Sequence, residues 1–89
     1  MKIKNGFVLE QVGDSYLAIA TGPLAASFKA LVKLNETGAF LWKCLDGKDI
    51  GIDALVEKMV ENYGIDAGLA RSDAEKFVEN LTNVGILEA

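Results

Sequence analysis

The hydrophobic pattern of this chain changes period once, at Leu34-Asn35, and that change limits what the chain can fold into. Upstream, apolar residues recur at every second position; downstream they recur at every third or fourth. A strand sends alternate side chains to opposite faces, whereas a helix gathers positions i, i+3, i+4 and i+7 into one stripe. The pattern therefore predicts β structure followed by α structure, an α+β chain of order βββααα.

Three runs make up the β part. Phe7–Val12 and Ser15–Ala20 are separated by Gly13-Asp14, a two-residue connection that suits a tight hairpin because glycine accepts positive φ. Thr21-Gly22-Pro23 breaks the pattern, and a third strand is expected over Phe28–Leu34. Its alternation puts Phe28, Ala30, Val32 and Leu34 on one face and Lys29, Leu31 and Lys33 on the other. One apolar and one solvated face is what an antiparallel meander needs.

Three helices follow. Asn35 reads as an N-cap with Glu36 in the first turn, and Gly38, Leu41, Trp42 and Leu45 share a face that ends at Asp46-Gly47. Ile52, Leu55, Val56, Met59, Val60 and Tyr63 form an unbroken stripe, stopped by Gly64. A third helix is expected over about residues 67–84, with Ala70, Ala74, Phe77, Val78, Leu81 and Val84 inward. Ser72-Asp73-Ala74-Glu75 fits a capping box, so this helix could instead start or bend at Ser72. Gly85-Ile86-Leu87 is an apolar tail expected to pack down. The helical part resembles a winged helix-turn-helix with its strands on the N-terminal side.

At 89 residues the chain is read as one domain, residues 1–89, with enough apolar content (51%) to fill a small core. Its chemical inventory is thin. Histidine is absent, which removes the commonest general base and metal ligand, and a single cysteine forms neither an internal disulfide nor a thiolate metal cage. Cys44 sits beside the apolar stripe of the first helix and reads as a small semi-buried hydrophobe. The pairs Asp46 with Asp49 and Glu57 with Glu61 read as solvated charge. The expectation is a non-enzymatic protein without cofactor or metal. No apolar run is long enough to span a bilayer and no signal or lipidation pattern is evident, so a cytoplasmic protein is expected.

Charge is unevenly spread. Residues 1–51 carry six lysines against five acids, and residues 52–89 carry three basic groups against eight acids. DNA affinity comes largely from Lys and Arg neutralising phosphates, so helices in the acidic half should repel a duplex. What remains is recognition of peptide or protein. A small sheet ends in edge strands whose unpaired N–H and C=O groups can accept an extended peptide as an added strand. Lys29 and Lys33 equally suit an edge blunted against aggregation, and the residues alone leave both readings open.

The block Val32-Lys33-Leu34-Asn35-Glu36-Thr37-Gly38-Ala39-Phe40-Leu41-Trp42, with Leu45-Asp46-Gly47 after it, resembles the signature of the PqqD family. Leu55-Val56-Glu57-Lys58, Tyr63-Gly64-Ile65-Asp66, Asp73, Phe77, Leu81 and Gly85-Ile86-Leu87 extend the likeness, which runs from about residue 6 to 87. The resemblance implies a recognition element for ribosomally synthesised, modified peptides: a domain that binds the leader region of a precursor and delivers it to a modifying enzyme, often a radical SAM enzyme. It further implies that the leader adds beside the third strand, in a cleft bounded by the third helix. Carried onto this chain, the implied site is Phe28, Lys29, Ala30, Leu31, Val32, Lys33 and Leu34 of the strand, with Arg71, Ala74, Glu75 and Val78 of the helix. The competing readings are a winged-helix regulator acting on DNA and a small adaptor that docks on an enzyme without touching its substrate. An open strand edge could also pair with a second copy to give a homodimer.

Overall fold

The computed structural model describes residues 1–22 and 32–88. The elements in chain order are β1 (Lys2–Ile3), β2 (Phe7–Val12), β3 (Ser15–Ala20), β4 (Val32–Leu34), α1 (Glu36–Leu45), α2 (Ile52–Tyr63), α3 (Ala67–Asn83) and β5 (Leu87–Glu88). Of the expected third strand, Val32–Leu34 is present as β4, and residues 28–31 lie outside the described residues.

β2, β3 and β4 form one antiparallel sheet in that order. Val12 faces Ser15 across a two-residue turn of Gly13-Asp14, and the register then runs without a slip to Phe7 opposite Ala20. Gly13 takes φ +63°, and among the described residues no non-glycine has positive φ. Positive φ at the first central residue alone is the type II′ pattern, whose twist matches that of the flanking strands. β4 continues the sheet with Tyr16 opposite Leu34, Leu17 opposite Lys33 and Ala18 opposite Val32. One face of the sheet therefore carries Phe7, Leu9, Ala18, Ala20, Val32 and Leu34, and the other carries Val8, Glu10, Leu17, Ile19 and Lys33. Only the first packs inward: Phe7, Ala18 and Ala20 are buried, while Val8 and Val12 stay exposed.

The helices start where local chemistry provides a cap. The Asn35 side chain accepts a hydrogen bond from the Gly38 amide at 2.8 Å, a contact of the kind that contributes about 1 kcal/mol. The buried face of α1 is Gly38, Ala39, Leu41, Trp42 and Leu45. α2 buries Leu55, Val56 and Met59, and ends as the Gly64 amide donates to the Val60 carbonyl. α3 begins at Ala67 and not at Ser72, because Asp66 already caps it, accepting from the Gly68 and Leu69 amides at 2.9 and 3.3 Å. Ser72 is then an exposed position in the helix interior. Ala70, Ala74, Phe77 and Leu81 are buried and Val78 is half-buried, but Val84 departs from the expected inward stripe. It is the C-cap residue, 41% exposed, where the backbone has already left the helix.

These faces meet in one core, whose largest fully buried side chains are Trp42, Leu41, Leu45, Leu55, Met59, Leu81 and Ile86. Among the described residues no polar or charged residue is buried. The C-terminal tail packs down through Ile86 and Leu87, and it does more: Leu87 and Glu88 pair with Ile3 and Lys2 in a two-stranded ribbon. The Lys4 amide extends it by donating to the Ile86 carbonyl at 2.9 Å. This ribbon is an addition to the expected order βββααα. Two-residue strands are too short to express a period of two, so the pattern does not reveal them.

Candidate functional site

β4 is an edge strand. β3 occupies one side of it, and no strand of the described residues pairs with the other. The open side borders a groove of about 320 Å³ whose near bank is Lys33, Leu34 and Asn35. Thr37, Gly38 and Leu41 of α1 contribute its floor, and Asp73, Lys76, Phe77 and Asn80 of α3 form the far bank. A shallower hollow lined by Asp14 and Ser15 shares Lys33, Leu34 and Asn35 with it, so the depression continues toward the tip of the β2–β3 hairpin.

The groove is built by local sequence. Asp73, Lys76, Phe77 and Asn80 fall at i, i+3, i+4 and i+7, one stripe of α3. Phe77 belongs both to this stripe and to the buried core, so the groove floor is continuous with the core. Gly38 keeps the floor low. A Cβ at this position would lie 3.2 Å from Leu34 Cβ, 3.3 Å from Leu34 Cδ2 and 3.4 Å from Asn35 Oδ1, tighter than nearly all ordinary contacts. The same glycine donates the amide that Asn35 caps, so one residue serves the start of α1 and the depth of the groove.

The strand residues anticipated for the site and described by the structure, Val32, Lys33 and Leu34, form the open edge, and Lys33 and Leu34 line the groove. Phe28, Lys29, Ala30 and Leu31 lie outside the described residues. The anticipated helix residues are elsewhere on α3. Arg71 reaches α2, where its guanidinium donates to Asp53. That hydrogen bond first, and the Asp53 charge second, raise the Arg71 pKa above its already high ordinary value. Ala74 is buried in the core, Glu75 is exposed and Val78 is half-buried. None of the four lines the groove, whose helical side is Asp73, Lys76, Phe77 and Asn80. Their i, i+3, i+4, i+7 spacing marks one flank of the buried stripe, but Arg71, Ala74, Glu75 and Val78 share that spacing on the other flank, so spacing alone does not choose between them.

Cys44 is half-buried, and burial pushes its thiol pKa up, a rise that Lys58 and Lys48 only partly oppose. Such a thiol is protonated near neutral pH and is a poor nucleophile. Among the described residues, no group of three or more Cys, Asp and Glu could hold a metal ion. Among them, too, no helix is long and apolar enough to cross a membrane. The groove mixes apolar residues, Leu34, Leu41 and Phe77, with polar ones, and it lies beside a strand whose other side no described strand pairs, an arrangement that suits an extended chain.

Comparison with known proteins gives two findings. The sequence matches the family described as coenzyme PQQ synthesis protein D (PqqD) over residues 17–87, a span that takes in most of β3, all of β4 and all three helices. Among solved structures the chain is similar to TbiB1, in a structure described as TbiB1 in complex with the TbiA(beta) leader peptide. That likeness has a TM-score of 0.76 at 22% identity and covers 100% of this chain and 96% of the other, which establishes a shared fold. None of the curated proteins matches the sequence.

Proposed function

The chain belongs to the PqqD family, and from that premise we propose that it binds the leader region of a ribosomally synthesised precursor peptide and presents it to a separate modifying enzyme. The leader adds as a strand along the open side of β4, by main-chain hydrogen bonds, and its inward side chains rest on Leu34, Leu41 and Phe77 between the two banks of the groove. Within the strand anticipated from the sequence, the proposed site uses Val32–Leu34, with Asp73, Lys76, Phe77 and Asn80 as the helical bank. The protein works as a binding subunit in the cytoplasm, the catalytic chemistry belonging to its partner, a radical SAM enzyme.

The observation that carries this reading is the conjunction at β4: an edge that no strand of the described residues pairs, a groove of about 320 Å³ beside it, and a helix on the far side. An edge alone would bind any strand weakly, whereas an edge with side-chain pockets can discriminate. That TbiB1, which shares the fold, is described in complex with a leader peptide supports the same reading.

The test is an NMR titration of the labelled protein with a synthetic leader peptide made from a short open reading frame beside its gene. The amides of Val32, Lys33 and Leu34 and those of Lys76 and Asn80 are expected to shift together and saturably. Shifts confined to α2 or to β2, or no shifts, would refute the proposal. Since a second copy could pair along the same edge, the titration is run at two protein concentrations; self-pairing would make the apparent affinity fall as protein concentration rises. Capture of a radical SAM enzyme from the same gene cluster checks the identity of the partner.

A further inference from the structure

Lys33 is the central residue of β4, and its side chain belongs to the outer face of the sheet, opposite to that of Val32 and Leu34. Its neighbour across β3 is Leu17, which offers no charge, and the next residue in that row is Glu10 on β2. Two strand spacings separate Glu10 from Lys33, about 9–10 Å, too far for an ion pair. Asp14 shares the hollow at the hairpin end with Lys33, yet Lys33 makes no ion pair with any described residue. Lys33 is exposed, and it stands on the strand whose other side no described strand pairs.

A strand added to this edge must obey the same pleat. Side chains of paired strands that lie side by side point to the same face, so a guest residue beside Lys33 presents its side chain outward, next to the ammonium. The guest residues before and after it point inward, over Leu34, Gly38, Leu41 and Phe77. This alternation holds for either direction of the guest chain, because successive side chains alternate in both.

We propose that the β4 edge selects a segment of the pattern apolar–acidic–apolar, in which Asp or Glu pairs with Lys33 and the two flanking apolar side chains seat on the groove floor. The inference rests on the proposed binding of a peptide strand at β4, and it adds the chemical class of the segment and the residue that reads its charge. Opposite charges side by side in a sheet are worth a modest amount, so replacing the acidic residue by glutamine should weaken binding about two- to fivefold, and by lysine somewhat more.

The experiment is a selection from a displayed library of random twelve-residue peptides on the full-length protein, in parallel with Lys33→Gln and Lys33→Glu, followed by NMR mapping of the enriched peptides. Lys33 is exposed, so both variants should fold as the wild type does, which circular dichroism checks. The expected result is enrichment of Asp or Glu between two apolar residues on the wild type, loss of that preference with Lys33→Gln, and a change to Lys or Arg with Lys33→Glu. Enriched peptides that shift the Val32–Leu34 amides without any charge preference would overturn the role of Lys33 and leave peptide binding at β4 standing. Peptides that bind while those amides stay unmoved, or a selection that enriches nothing, would overturn both.

Discussion

Among the described residues the three-stranded sheet ends in two outer strands, and they differ in what faces them. β2 is the longer, six residues paired along their whole length with β3, and it carries two exposed valines, Val8 and Val12. β4 is described over only three residues, yet it borders the groove closed by α3. Both are outer strands of the sheet among the described residues, so an outer position alone does not make a site. The difference teaches that recognition needs a second wall, one that offers side-chain pockets and removes water from the main-chain hydrogen bonds. The family match begins at residue 17, within β3, so it includes β4 and the groove and leaves β2 out.

That contrast can be broken by filling the groove. Asn80→Trp places a large side chain on the far bank from an exposed position, and is expected to reduce leader-peptide affinity by at least about tenfold while changing stability by about 0.5 kcal/mol or less. The matching change on the other edge, Val12→Lys, should leave affinity unchanged; calorimetric titration of both variants makes the comparison. If Val12→Lys were the more damaging, the assignment of the two edges would be reversed.

Raising the floor is the next largest effect. Gly38→Ala brings a Cβ against Leu34, a half-buried residue that also lines the groove, so any shift of Leu34 changes the shape of the site. Crowding of this kind costs on the order of 1 kcal/mol, so affinity should fall about fivefold. Alanine is favoured over glycine in a helix by about the same amount, so the melting temperature should change little. Asn35→Ala acts the other way, on stability first. Losing the cap of α1 should cost about 1 kcal/mol and lower the melting temperature by about 4–8 °C, measured by thermal denaturation. Smallest is Arg71→Ala. Its guanidinium pairs with α2 and is solvent-exposed, so peptide affinity should stay within about twofold of wild type.

Arg71 also marks where the sequence stops being informative. The buried stripe of α3, Ala70, Ala74, Phe77 and Leu81, is legible from spacing, but it has two flanks. At 100° per residue, Asp73, Lys76, Phe77 and Asn80 centre about 80° to one side of the stripe, and Arg71, Ala74, Glu75 and Val78 about 80° to the other. Which flank faces the strand depends on how the helix packs against α1 and α2, a tertiary fact with no local signal. The start of α3 was ambiguous for a related reason: both Asp66 and Ser72 are competent caps, and the one that leaves Ala70 inside the helix and in the core prevails. By contrast the β2–β3 hairpin, the Asn35 cap and the α2 stripe as far as Val60 are readable, because each is determined by residues within a few positions of one another; Tyr63, the last member expected in that stripe, is instead 39% exposed at the end of the helix. The ribbon of β1 with β5 joins the two ends of the described chain and is invisible to any window along it.

The central claim, that β4 and not β2 is the edge a leader peptide joins, is tested most directly by hydrogen–deuterium exchange of both edges with and without the leader peptide. A strand added at β4 should slow exchange of the Val32–Leu34 amides at least about tenfold and leave the amides of Phe7–Val12 as they were. Protection gained along Phe7–Val12, or peptide binding that protects neither edge, would contradict the account.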